Sequence, residues 1–504
     1  MTAADLLAGP FATLPDLVRA HAAERGDKPA LIDEGGALTY AELDRAMDRV
    51  AAGLARDGVL PGGAVAMVAA NSVAMATAFL GALRAGAVPA PIAPSATPDA
   101  IAAMVADSGS PLVFLDGASA AALAETALPV PRVALGEQEA WMTADAPPIT
   151  VERTAEDAFN IIYSSGTTGT PKGIVQSHGM RWQHLSRNAA AGFGEAVTLV
   201  ATPLYSNTTL VSFLPTIGWG GTAVLMGKFD ARRYLELAER HGATHTMLVP
   251  VQYQRIMADP AFDRFDLSRF RFKTCTSAPF SGALKADVVA RWPGLLVEYY
   301  GMTEGGASFG LNCSAHPDKL DTVGQPMPGH EAKLIDEAGR EVAPGEIGEV
   351  VGRSSAMMTG YHNRAGATRE AEWYDAEGRR FIRHGDLGRF DADGFLTLVG
   401  RAKDLIISGG FNIYPSDLEA VLAAHPAVAD AAVVGMPSVQ WGETPVGFYV
   451  PAATVETPDA ILAWVNERLG KTQRLAALHA VDELPRSAIG KVLKRELRER
   501  LGAA

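Results

Sequence analysis

At 504 residues the chain exceeds what a single hydrophobic core organises, so two or more domains are expected, and its 48% apolar content suits a globular protein with sizeable cores. Its 44 Lys and Arg stand against 57 Asp and Glu, a net charge of −13, which argues against a general nucleic-acid binder and favours local sites for anionic ligands. Cys275 and Cys313 have neither the spacing nor the number for a disulfide framework or zinc site and read as reduced thiols of a cytoplasmic protein. The start carries Asp5 and no basic stretch before an apolar run, so no signal peptide is expected. Residues 64–83 are uncharged over about the length of a membrane helix. Asn71-Ser72 divides them into a short strand and a capped helix, and no stable membrane insertion is expected.

Residues 14–23 show helical periodicity, and Thr39 with Glu42 forms a capping box for a helix to about residue 55. After Pro61-Gly62-Gly63 the chain alternates strand and helix: 65–70, 87–92, 98–108 and 111–115. Such alternation predicts an α/β sheet covered on both faces. Residues 159–163 and 174–175 are apolar and β-prone and flank the run from Ser164 to Gly173, predicting a strand-loop-strand unit. Its glycines can turn backbone N–H groups inward, while its hydroxyls and Lys172 add donors to an anion. By composition alone it is equally a polar surface loop. A P-loop is excluded, because Pro171 precedes Lys172 and Gly173 follows it.

Further on, Ser177 caps a helix expected over 179–190. Strands are expected at 198–202, 221–225, 245–249 and 272–276, with a helix at 231–241. Beyond about residue 324, short strands with Gly, Pro and Asp turns suggest a β-rich subdomain. The last hundred residues read as α+β: a capping box at Ser416 and Glu419, strands at 428–434 and 447–450, and a helix from Thr457-Pro458 to Gly470.

Three more stretches carry chemistry. Tyr299-Tyr300-Gly301-Met302-Thr303-Glu304 follows a strand at 295–297, at the end where open α/β sheets bind ligands. An aromatic there can stack on a purine and a carboxylate can hold Mg²⁺; the alternative is a surface turn with a solvated Glu. Asp386 can accept from ribose hydroxyls and Arg401 can donate to the same sugar or to a phosphate. Lys491, in Pro485-Arg486-Ser487-Ala488-Ile489-Gly490-Lys491, suits a transition state in which charge builds on phosphate oxygens.

These runs, in this order and with Ser408-Gly409-Gly410-Phe411-Asn412-Ile413-Tyr414-Pro415, closely resemble the signatures of the adenylate-forming superfamily. That superfamily comprises acyl-CoA synthetases, luciferase-like enzymes and peptide-synthetase adenylation domains, and the chain is most like an aryl- or hydroxycinnamate-CoA ligase. The resemblance implies an α/β fold with a large N-terminal domain, residues 1–402, made of α/β sheets plus a β-rich subdomain at about 324–400. A small mobile α+β C-terminal domain, residues 403–504, would turn about Lys403.

It implies Ser164, Ser165, Gly166, Thr167, Thr168 and Lys172 at the phosphates. Ser277, Ala278, Pro279, Glu298, Tyr299, Tyr300, Gly301 and Met302 would surround AMP. Thr303 would lie near the α-phosphate, Thr167 and Glu304 on Mg²⁺, Asp386 and Arg401 on ribose, and Lys491 would be catalytic with Thr303 and Glu304. The acyl pocket would use Tyr205, Ser206, Asn207, Val251, Ser277, Gly301, Gly305 and Gly306. CoA would meet Ser408, Gly409, Gly410, Phe411 and Trp441, although a partly buried core Trp441 is an equal alternative. His384 reads as structural, and Arg486, Lys494, Arg495 and Arg498 as a solvated basic helix end.

The implied reaction joins a carboxylic acid and MgATP into an acyl-adenylate and pyrophosphate, after which a thiol displaces AMP. Residues 202–209 offer no Asp for an amino-acid amine and no carrier domain is seen after Lys491, so free CoA is the expected acceptor. Ser206 departs from the His or bulky aromatic that many CoA ligases place at the tunnel mouth, leaving Tyr205 or Asn207 for that role. A polar-edged, glycine-lined slot suits a flat hydroxylated acid such as ferulate. A medium-chain fatty acid or loading of a carrier protein are the alternatives. A non-enzymatic nucleotide binder would have no need of Glu304 and Lys491. Homodimer formation is left open.

Overall fold

The structure is a computed structural model describing residues 1–164, 172–186, 191–408, 411–452, 454, 456–471, 473–487 and 490–502. The chain forms two compact units. One comprises Met1–Leu320, Pro326–Glu331 and Gly352–Ile382; the other comprises Asp321–Gln325, Ala332–Val351 and Arg383–Ala504.

The first unit is built on strands that are apolar on both faces, the composition of parallel sheets covered by helices. In its largest sheet, Leu295–Tyr300, Phe272–Cys275, His245–Leu248, Val197–Val200, Thr222–Leu225 and Pro29–Ile32 lie side by side in that order, all parallel. Antiparallel Phe309–Asn312 pairs beside Leu295–Tyr300. A second parallel sheet joins Val88–Ile92, Ala64–Val68, Val113–Leu115 and Arg132–Ala134. As expected, Asn71-Ser72 separates strand Ala64–Val68 from helix Val73–Arg84, whose Ser72 cap accepts from the Met75 amide. No described helix is long and apolar enough to cross a membrane. Thr39 and Glu42 form the predicted capping box.

Several buried charges are paired with an opposite charge. Arg84 is 2% exposed and holds Asp44 at 2.5 Å and Asp48 at 2.6 Å. Lys285, from helix Gly282–Arg291, meets Glu298 at 2.5 Å behind the Tyr299–Glu304 run. Burial lifts the Glu298 carboxyl to about 7, against the pull of Lys285. Lys285→Met removes one partner of a buried pair and is expected to cost about 3–5 kcal/mol, read as a lower urea midpoint. Adding Glu298→Leu should restore most of that loss, because no uncompensated charge then remains. A midpoint unchanged by Lys285→Met alone would contradict the pairing.

The polar run after strand Val197–Val200 is helical, where the sequence pattern assigns no element. Ser206 caps a helix, Asn207–Gly218, that the hydroxyl-rich sequence hides. Its side of Leu210, Phe213, Leu214 and Ile217 enters the main core, and that burial outweighs the weak helix propensity of Thr208, Thr209 and Ser212. The helix after Ser177 spans His178–Ser186; residues 187–190 of the expected range lie outside the described residues.

In the second unit, strand Gly442–Pro451 pairs with Val428–Ser438 along its length and with Ile406–Ser408 and Ala477–Ala480. The Ser416–Glu419 capping box is not formed. Helix Pro415–Ala423 has Tyr414 at its cap without a side-chain bond. Ser416 instead donates to the Val399 carbonyl, and the Glu419 carboxylate takes the Val433 amide and the Lys494 ammonium, because tertiary partners outcompete the local cap. Nor is the C-terminal basic cluster merely solvated. Arg486 holds Asp430 at 2.6 Å, Lys494 holds Glu419 at 2.7 Å and Arg498 holds Asp404 at 3.0 Å. Only Arg495 keeps to its own helix, against Glu499.

Candidate active site

The parallel order of the large sheet gathers the predicted residues. Moving across neighbouring strands, the C-terminal ends lead into Tyr299–Glu304, then Ser277, then Pro250-Val251, then Pro203–Asn207. Sites in open α/β sheets form at this edge. Ser277 has a left-handed backbone, φ 83°, a conformation costing a residue with a Cβ about 1–3 kcal/mol. Its hydroxyl lies 2.5 Å from that of Thr208, so the helix Asn207–Gly218 and the 277–279 loop are joined at the predicted acyl pocket. The Tyr300 ring tilts against Phe309 at 5.5 Å.

Strands Ala158–Ser164 and Lys172–Ser177 pair antiparallel, with Ser164 opposite Lys172. The predicted strand-loop-strand unit is present at both ends; Ser165, Gly166, Thr167 and Thr168 lie outside the described residues. A third strand, Gly360–Tyr361, adds to the other edge of Lys172–Ser177 and brings Tyr361 beneath Lys172. The Lys172 ammonium sits 5.1 Å from the ring centroid, a cation–π contact. The Tyr361 hydroxyl donates to Glu304 Oε1 at 2.8 Å. Burial and the Glu304 charge raise the phenol, which keeps its proton for this bond. The backbone clamps Glu304 as well, its carbonyl accepting from the Met358 amide at 2.8 Å. Next to it, Gly305 has φ +82° and a Cβ would lie 2.0 Å from the Ala356 carbonyl oxygen, so only glycine fits. Lys172 and Glu304, expected at the phosphates and at the cation, are thus tied through one tyrosine.

Thr303 is fixed from behind. Gln176 Nε2 donates to the Thr303 carbonyl at 2.7 Å, and Gln176 belongs to a buried set with Asn160, Arg181 and Asn207. Motif reading misses Tyr361, Gln176 and Arg181. The latter two sit just beyond the glycine-rich run among other polar residues, such as Ser177, Gln183 and His184, so no sequence signal sets them apart. Glu298 is buried, its carboxylate on Lys285 and its backbone paired in the sheet between Cys275 and Leu311.

In the second unit, Asp386 and Arg401 are cross-strand partners on Arg380–Phe390 and Leu396–Arg401, and the Arg401 Nε donates to Asp386 at 2.8 Å. The pair exposes Arg401 while burying most of Asp386. His384 is buried, and loss of solvent pushes it down to about 4, as suits a neutral structural ring. Lys403 lies in the short turn Ala402–Asp404. Ser408 pairs with Phe411 and with Gly442; Gly409 and Gly410 are outside the described residues. Trp441 and Phe411 are exposed, which removes the core reading of Trp441. Lys491 is exposed on a turn closed by the Ser487 amide donating to its carbonyl at 2.8 Å.

Comparison with known proteins identifies the family. The AMP-binding enzyme family matches residues 18–362, and its C-terminal domain matches residues 417–491. A feruloyl-CoA synthase of Amycolatopsis sp. is 35% identical over 480 residues, covering 93% of this chain and 95% of its own. The 4-coumarate–CoA ligase 5 of Oryza sativa subsp. japonica is 35% identical, covering 97% and 95%. Fatty acid–[acyl-carrier-protein] ligase ScoC of Streptomyces coeruleorubidus is 32% identical, covering 97% and 96%. Among solved structures, the o-succinylbenzoate CoA synthetase of Bacillus subtilis in complex with its acyl-adenylate intermediate superposes with a TM-score of 0.85 at 27% identity, covering 97% and 99%. The family matches and these relatives establish that this chain belongs to the AMP-binding, adenylate-forming enzymes and is an AMP-forming ligase.

Proposed function

We propose that the chain is an acid–CoA ligase whose acid is aromatic, a hydroxycinnamate such as ferulate. The observation carrying the proposal is the sheet edge that sets the Thr303–Glu304 run beside Ser277, Val251 and the 203–207 segment, so that a nucleotide site and an acid site share one border. The names of the feruloyl- and coumarate-specific relatives support the aromatic choice, as does the polar wall of Ser206, Asn207, Thr208 and Ser277.

In this reading Lys172 binds the terminal phosphates, Tyr300 lies against adenine, and Asp386 with Arg401 holds ribose. Glu304 offers one carboxylate. A single carboxylate suits a Mg²⁺ that would arrive on ATP, where Glu304 would supply one oxygen ligand to a hard cation that neutralises the triphosphate. The acid's carboxylate attacks the α-phosphorus, the bond to the β-phosphate oxygen breaks, and pyrophosphate leaves. Lys491 stabilises the charge built on the α-phosphate oxygens. The second step forms the thioester and expels AMP, with Ser408, Phe411 and Trp441 on the CoA side and Lys403 as the hinge.

The test is pyrophosphate release with MgATP and a panel of aryl and alkyl acids, with acyl-CoA followed in parallel. Thioester with ferulate exceeding that with octanoate is expected; the reverse order would end the aromatic reading. The carrier-ligase relative makes a second acceptor worth including. Pyrophosphate release without acyl-CoA, with acylation of a carrier protein instead, would favour it.

A further inference from the structure

Arg181 lies on helix His178–Ser186, 4% exposed, and its described partners are three side-chain amides and no carboxylate. Its Nε donates to Asn160 Oδ1 at 2.9 Å, its Nη1 to Asn207 Oδ1 at 2.9 Å and its Nη2 to Gln176 Oε1. A guanidinium has only donors, so it dictates which way each amide faces. Every oxygen must turn toward Arg181 and every NH₂ away from it. Asn160 then donates to Gln176 Oε1 at 3.0 Å, and Gln176 donates both to the Thr303 carbonyl at 2.7 Å and to Asn207 Oδ1 at 3.3 Å. The Asn207 oxygen is doubly occupied and its NH₂ faces away from the cation.

A buried cation held by neutral amides and the face of Phe159, 5.9 Å from its guanidinium carbon, with no carboxylate among its described partners, is costly to place. Burial pushes the Arg181 guanidinium down to about 9, which leaves it charged at neutral pH. Core packing alone would be met more cheaply by an apolar side chain, so the retained charge points to a directional task.

We propose that Arg181 is a positioning residue that orients Asn207 to donate its Nδ2–H to the carboxylate end of the bound acid. The same cation, through Gln176, fixes the Thr303 carbonyl. This rests on the adenylation reading above, which places Thr303 by the α-phosphate. Asn207 stands one glutamine amide away from Thr303, so its N–H, without a partner among the described residues, is assigned to the reacting end of the acid and not the distal ring. The acid's carboxylate gains a neutral donor, which steadies it for attack without neutralising it.

The test uses pyrophosphate exchange in the full chain, with whichever acid gives the fastest wild-type exchange, so that failure of the ferulate assignment leaves it intact. Asn207→Asp keeps both acceptor roles and gives Arg181 a carboxylate partner, but removes the donor and adds a repelling charge. We expect kcat/KM for the acid to fall about 10²-fold with the KM for MgATP unchanged and the melting temperature at or above wild type. Arg181→Lys, a single ammonium that cannot hold three oxygens, should raise the acid KM about tenfold, and Arg181→Lys with Asn207→Asp should remain impaired. The loss should be equal for cinnamate and for ring-hydroxylated cinnamates. Loss of activity and melting temperature together in Asn207→Asp, an unchanged acid KM, or a loss confined to ring-hydroxylated acids would each overturn the proposal.

Discussion

Replacing Lys491 by alanine is expected to lower pyrophosphate-forming activity about 10²- to 10³-fold while leaving acyl-CoA formation from supplied acyl-adenylate within about twofold of wild type. The reason is the different charge demand of the two steps. In adenylation the incoming carboxylate adds negative charge to an α-phosphate that is already anionic, and a lysine is worth most where that charge develops. In thioester formation the bond that breaks is carbonyl C–O, its electron pair stays on the departing AMP oxygen, and the phosphorus is never attacked, so the crowding of charge around a five-coordinate phosphorus does not recur. Lys491 is exposed on a turn closed by Ser487, outside any core, so its truncation should leave folding untouched. Separate assays of the two half-reactions, with circular dichroism as the folding control, check this. Equal losses in both would contradict a single-step role and with it the hinge at Lys403.

Glu304→Gln should be the other severe change, lowering kcat/KM for MgATP by about 10²- to 10³-fold. The substitution is nearly isosteric. Its amide oxygen can still accept from Tyr361, and the backbone clamp at Met358 is unaffected. What is lost is the negative charge that helps hold a divalent cation against the triphosphate. The loss should therefore shrink as Mg²⁺ is raised, and the affinity for AMP, which needs no such cation, should stay near wild type. Tyr361→Phe serves as the control for orientation without charge and is expected to cost far less. An AMP affinity that fell as steeply as the MgATP dependence would show that Glu304 organises the pocket and does not serve the cation.

Local chemistry was legible along the chain because it is written in short strings. The strand-loop-strand around Lys172, the Tyr299–Glu304 run at a strand end, the Thr39 capping box and the split at Asn71-Ser72 depend on contiguous residues, and backbone periodicity and caps act over a few positions. The same locality explains the errors. Ser416 and Glu419 have capping-box spacing, yet Val399, Val433 and Lys494 claim their side chains. The helix in the hydroxyl-rich segment after Pro203 goes unread for the same reason: its local propensity is poor, and burial of Phe213 and Ile217 forms it.

By itself, then, the sequence determined the class of chemistry, the motif order and the alternating α/β plan, since each rests on residues near one another in the chain. Only the tertiary structure decided the partners. Tyr361 reaches Glu304 across 57 positions, Lys285 is paired with Glu298 inside the core, and Arg181 gathers amides from two strands and a helix start. Such contacts depend on strand order and on which side chains lose water together, quantities that no local pattern encodes.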